Sequence, residues 1–155
     1  VETYAFPGEV EDIALGEHLA DVAAAARAEL PAAIVVEHSV SGAPVGTAPA
    51  GAFHLAVLGL VRNAAAVMPD GGCVGLHGSR AGPWARVEIC DQGPGFPDEL
   101  LGSADRIART LARRPSFGLA IARRVMTDAG GRMEVQNRAR GGCVVLDLPV
   151  PDPAE

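Results

Sequence analysis

VEICDQGPGFP, residues 87–97, is the stretch on which the reading of the whole chain turns. Its first half alternates apolar and polar residues up to Cys90, as a half-buried strand does. Its second half can continue neither a strand nor a helix, because Gly93, Pro94, Gly95 and Pro97 withhold the dihedrals and donors that both need. A strand that stops at Asp91 and runs straight into glycines leaves a carboxylate at its end. That acid can accept a hydrogen bond from an amine, beside backbone that a ligand can approach with no Cβ in the way.

Upstream of this stretch, residues 73–79 and 84–90 read as two strands joined by Arg80-Ala81-Gly82-Pro83. Before them a helix runs from Ala52 through FHLAVLGLVRNAAAVM and stops at Pro69-Asp70-Gly71-Gly72. Asn63 is the exception in that Leu, Val and Ala helix, and an inward-facing asparagine amide needs a ligand. Further back, residues 39–51 have the Gly, Pro and Ser of a loop, 33–38 read as a strand, and 15–30 as an alanine-rich helix ended by Pro31. Residues 1–12 show little periodicity and read as a leading linker.

Downstream, residues 98–114 are polar, arginine-studded and poor in large apolar side chains, so a mobile segment with at most a helical turn is expected there. Ser116-Phe117-Gly118 opens an amphipathic helix over 118–129, whose free N–H groups and dipole favour phosphate. Gly130-Gly131 caps it, and MEVQN and CVVLDL form a closing strand pair around residues 139–142. Hairpins within an alternation of strands and helices call for a mixed sheet. The expected fold class is an α+β two-layer sandwich, with about five strands, about three helices on one face and the other face exposed or docked.

The bulk properties agree with one compact domain. The chain has 155 residues, 48% of them hydrophobic and 21% charged, which excludes disorder as its main description. Thirteen basic residues, all arginine, against nineteen acidic ones give a net charge of −6, which argues against a nucleic-acid partner. No apolar run approaches the ~20 residues of a membrane span, and the N-terminus lacks a signal-peptide pattern, so no membrane insertion and a cytoplasmic location are expected. Cys73, Cys90 and Cys143 each sit in a β-like run and read as buried, reduced thiols rather than a metal site or a disulfide framework. Trp84 reads as a strand-edge or core residue, and His54 as a surface or capping one.

The order helix-Asn, strand-DxGxG, loop-Gly-helix, GG hairpin resembles the Bergerat-fold ATP-binding domain of sensor histidine kinases, a fold shared with type II topoisomerases, mismatch-repair ATPases and heat-shock chaperones. LGLVRNAAAVMPDGG is similar to that family's asparagine box, and VEICDQGPGFPDEL to its first glycine box. SFGLAIARRVMTDAGGRMEVQNRARGGCVVLDLP is similar to its second glycine box and closing strands. FPGEVEDIALGEHL resembles the junction after the dimerisation helices of such kinases. The resemblance thus implies a linker from a dimerisation domain over 1–12, the ATP-binding catalytic domain over 13–149 and a tail over 150–155.

By that resemblance Asn63 would bind Mg²⁺, Asp91 would accept from the adenine amine, and Gly93 and Gly95 would let the backbone close over the purine. Residues 102–115 would form the lid, while Ser116, Gly118 and Leu119 would place the phosphates. The cofactors implied are ATP and Mg²⁺. The partners implied are a dimerisation domain carrying the phosphoacceptor histidine and a response regulator.

The chain departs from the family at several places. Gly59 stands four residues before Asn63, where the family carries a polar residue and its hydrolytic members a glutamate, so hydrolysis of the topoisomerase kind is not expected. Arg114-Pro115-Ser116-Phe117-Gly118 replaces GxGLG, and Pro115 removes an N–H that could meet phosphate. Arg109, Arg113 and Arg114 either compensate electrostatically or form a solvated face. No histidine here precedes an acid: His18, His38, His54 and His77 precede Leu, Ser, Leu and Gly. Three readings follow: a catalytic domain phosphorylating a histidine elsewhere, a degenerate kinase-like docking module for a response regulator or partner kinase, and a serine kinase acting on anti-sigma antagonists.

Overall fold

Leu15, Leu19, Val22, Ala23 and Ala26 recur at helical spacing, and all five are buried along one side of helix α1 (Leu15–Glu29). The helix stops at Leu30, which is extended because the following Pro31 disfavours α geometry before it. The structure is a computed structural model, and it describes residues 8–103 and 117–151. Helix α2 (Ala50–Ala66) is apolar nearly all round, from Ala52 and Phe53 to Ala64 and Ala65, and is accordingly the central helix, packed between α1 and α3. Helix α3 (Phe117–Asp128) ends in paired bonds, Gly131 N to Met126 O at 2.8 Å and Gly130 N to Thr127 O at 3.1 Å, with Gly130 at φ +74°. That pattern is the glycine-capped C-terminus expected from the sequence.

Strands β2 (Ile34–Val40), β4 (Gly72–Ala81), β5 (Trp84–Cys90), β8 (Gly142–Pro149), β7 (Arg132–Asn137) and β6 (Gly102–Ser103) form one sheet in that order. The β2–β4 pair is parallel and the other pairs are antiparallel. The mixed sheet is therefore as expected, but among the described residues it has six strands rather than five. Val74, Leu76, Val87, Ile89, Leu146 and Leu148 point to the side where α1 covers β2 and β4, α2 covers β4 and β5, and α3 covers β7 and β8.

Three segments differ from the sequence reading. Strand β1 (Val10–Ala14) begins inside the stretch read as linker, and strand β3 (Val45–Pro49) lies within the stretch read as loop; the two pair antiparallel as a separate small sheet. Helix α2 also starts two residues earlier than expected. Within 98–114, a single 3₁₀ turn (Asp98–Leu100) and β6 are present, and residues 104–116 lie outside the described residues.

Cysteine usage differs too. Cys90 and Cys143 are register partners on β5 and β8, with Cα atoms 4.1 Å apart, and they form a disulfide; Cys73 is free. Their neighbours Asp91 and Gly142 form the hydrogen-bonded rung, so the two cysteines occupy the adjacent rung where side chains come closest. Three scattered cysteines in a linear sequence carry no sign of that register.

The uncovered face of the sheet is polar and paired. Asp147 is 4% exposed and accepts from Arg86 at 2.8 and 3.0 Å and from Arg132 at 2.9 Å, while the Arg132 guanidinium stacks 4.4 Å from the centroid of Trp84. Burial alone would push the Asp147 carboxyl up, but the two arginines outweigh it and hold it below the usual range.

His18 packs its ring 5.0 Å from that of Phe53 and 5.7 Å from that of His54, and its Nε2 is buried with no hydrogen-bond partner among the described residues. Burial first, then the neighbouring His54, lower its pKa from 6.5 to about 4, against the pull of Asp21. The unfolded chain therefore binds a proton that the folded chain refuses until about pH 4, so this contribution is whole above 6.5 and lost as pH falls. Urea unfolding should show stability dropping by about 2.5 kcal/mol between about pH 7.5 and about pH 4.5, and His18→Gln should remove most of that slope.

Candidate functional site

The end of β5 meets the β7–β8 hairpin at Asp91, which is 7% exposed. Asp91 N donates to Gly142 O at 2.9 Å, and Asp91 Oδ1 accepts from Gly93 N at 2.8 Å and from Gly142 N at 3.2 Å. One carboxylate oxygen is thus fixed by two backbone amides. Both hydrogen bonds that the carboxylate makes to described residues fall on Oδ1, and the second oxygen of a carboxylate can accept from an incoming donor.

Glycines make this arrangement possible. A Cβ on Gly141, which sits at φ +87°, would collide with the Asp91 carbonyl, and one on Gly142 would collide with the Phe96 ring. A Cβ on Gly93 would lie 2.8 Å from Val67 Cγ2, and one on Gly95, at φ +86°, would lie 2.7 Å from Asn137 Oδ1. Gln92 is held from the other side, its N–H on Met68 Sδ at 3.4 Å and its Oε1 accepting from Cys73 N at 3.2 Å.

Asn63 and Gly118 are brought together. A Cβ on Gly118 would collide with the Asn63 amide, so the start of α3 reaches α2 only because residue 118 is glycine. Gly59, one turn earlier, also faces α3: a Cβ there would lie 3.8 Å from the Gly118 Cα. Asn63 and Val67 are four residues apart and share a helical face. Gly118 thus lies against Asn63, and Gly93 against Val67 and Asp91, with Asn63 and Val67 about one helical turn apart in sequence.

Leu119 is 3% exposed and belongs to the apolar core. Ser116, Arg109, Arg113, Arg114 and Pro115 lie outside the described residues, and of the expected lid only Gly102 and Ser103 are described, paired with Val135 and Glu134 on β7. Val67, Met68, Asn137, Gly141 and Gly142 complete the site without having been read as site residues; the GG pair was the single sign, read as a hairpin turn. Two cavities of about 400 Å³ lie elsewhere, one lined by Arg86, Arg132 and Asp147, the other by Glu37, His77 and Arg138. Among the described residues no three His, Cys, Asp or Glu side chains are grouped to hold a metal ion.

The fold is that of an ATPase domain. Residues 50–152 match the family of histidine kinase-, DNA gyrase B-, and HSP90-like ATPases, and the chain belongs to that family. Its catalytic domain is of the kind sensor kinases carry. The sensor protein PfeS of Pseudomonas aeruginosa is 36% identical over 94 residues, covering 58% of this chain and 21% of the relative. The catalytic domain of histidine kinase ThkA has the same fold, with a TM-score of 0.80 at 21% identity over 92% of this chain and 97% of that one. The mycobacterial sensor histidine kinase MprB gives a TM-score of 0.75 at 26% identity over 92% and 98% of the respective chains. The chain spans only 18–28% of the length of its sensor-kinase relatives.

Among the described residues no helix is long and apolar enough to cross a membrane.

Gly141→Ala combines a strained left-handed backbone with a collision against the Asp91 carbonyl. It should cost about 2–4 kcal/mol in denaturant unfolding, whereas Gly82→Ala, at φ +60° with open space around it, should cost only about 1 kcal/mol.

Proposed function

We propose that the chain is the catalytic domain of a two-component sensor histidine kinase, which binds Mg²⁺-ATP and gives its γ-phosphoryl group to a histidine on a dimerisation domain. The observation that carries this reading is the Asp91 carboxylate, buried at a strand end with Oδ1 tied to two backbone amides, which leaves Oδ2 to accept from an incoming donor. The adenine amine suits that acceptor. Guanine carries a carbonyl at the same place, and two facing acceptors repel.

The glycines at 93 and 95 let backbone lie flat against the purine, and Gly118 with Ser116 would offer amides at the start of α3 to the phosphates. Asn63 fits a hard cation through its amide oxygen, as one protein ligand among waters and phosphate oxygens. Magnesium bound there would offset phosphate charge. The chain's own part in the transfer is to hold the nucleotide so that its terminal phosphate faces the incoming histidine, since phosphoryl transfer is driven mainly by positioning and electrostatics.

Residues 1–12 would lead from the dimerisation helices, a response regulator would receive the phosphoryl group, and the domain would work in the cytoplasm. A second reading, a degenerate domain that docks a regulator or partner kinase without turnover, is favoured by one observation. Gly59 presents only a hydrogen to the α3 backbone where the family has a polar side chain.

Calorimetric titration with ATP and GTP, with and without Mg²⁺, tests the assignment. ATP should bind and GTP should not, and Asp91→Asn should weaken ATP about 10- to 100-fold. Asn63→Ala should weaken Mg²⁺-ATP far more than metal-free ATP, and equal losses would remove Asn63 from the metal. No heat at millimolar ATP would leave the docking reading in its place.

A further inference from the structure

The loop from Asp91 to Phe96 is held at both ends by one rung of the β7–β8 hairpin. Asn137 and Gly142 are register partners, and each holds one end. Gly142 exchanges two hydrogen bonds with Asp91, through its carbonyl to Asp91 N at 2.9 Å and through its N–H to Asp91 Oδ1 at 3.2 Å. Asn137 does the same for Phe96 with its side chain: Phe96 N donates to Oδ1 at 2.7 Å, and Nδ2 donates to Phe96 O at 2.9 Å. The amide can satisfy both groups in only one orientation, oxygen toward the N–H and nitrogen toward the carbonyl. Gly95 is bare at that place because a Cβ would lie 2.7 Å from Oδ1.

The geometry points to Asn137 as a positioning residue for base binding, one that fixes the far end of the glycine loop so that Gly93 and Gly95 present their backbone at the distance the Asp91 carboxylate sets. This rests on the nucleotide reading given above. Among the described residues the Asn137 side chain hydrogen-bonds to Phe96, and it is exposed at the tip of β7, so it is not needed to fill the core.

Two properties separate a positioning role from a merely structural one. Loss of the clamp frees the near end of nothing: Asp91 stays tied to Gly142, so the sheet and its melting temperature should hold while the loop relaxes. Because the loop serves the base and not the phosphates, the effect should be the same for ATP and ADP.

The test uses the 155-residue chain with Asn137→Ala. Calorimetry with ATP and with ADP should show both weakened by a similar factor, about five- to twentyfold, with the nucleotide-free melting temperature unchanged and amide exchange at Phe96 accelerated. Affinities within twofold of the parent, a loss confined to ATP, an unchanged Phe96 exchange rate, or a fall in nucleotide-free melting temperature that accounts for the weakening would each overturn it. If the parent chain itself binds neither ATP nor ADP, the nucleotide reading fails, which is distinct from a parent that binds and a variant that binds equally well.

Discussion

Two backbone amides on one carboxylate oxygen are the constraint around which the site is arranged. Asp91 could rotate if it stood alone at a strand end. With Gly93 N–H and Gly142 N–H both on Oδ1, the carboxylate is held in one orientation and its second oxygen is aimed. That aim depends on the β5–β8 register, because Gly142 reaches Asp91 only if Cys90 lies opposite Cys143. A shift of one residue would turn Val87 and Ile89 from the core to the polar face, so the hydrophobic layer beneath the helices fixes the register and the register fixes the acid.

The helices act on the same site from the other side. Helix α2 is buried along most of its surface and brings Asn63 and Val67 to the edge where β5 ends. Helix α3 approaches closely because Gly59 and Gly118 face each other across the contact. Small residues here serve proximity.

Much of this was legible in the sequence. Asp91, Gly93, Gly95, Asn63 and Gly118 stood out because each breaks the local pattern of its element, and five of the six strands of the main sheet showed alternation or apolar runs. What escaped detection lacked such a signal. In β1 only Ile13 is buried, and in β3 the buried residues are Gly46 and Ala48, too small to mark a strand. Gly46 has to be small, since a Cβ there would lie 2.8 Å from that of Leu148. Asn137, Val67 and Met68 serve the site through contacts between residues 24 to 41 positions apart, and those distances are set by strand register and helix packing rather than by local pattern. The Cys90–Cys143 pairing escaped for the same reason.

That cross-link has a topological effect. The bonded sulfurs are 53 residues apart in sequence, so the Asp91 loop, α3 and the segment between them all belong to one covalent ring. Closing a ring of that size removes freedom from the denatured chain worth about 4 kcal/mol on the loop-entropy scale. A protease that nicked the chain anywhere inside the ring would produce fragments that stay joined, and the carboxylate would keep its partner strand.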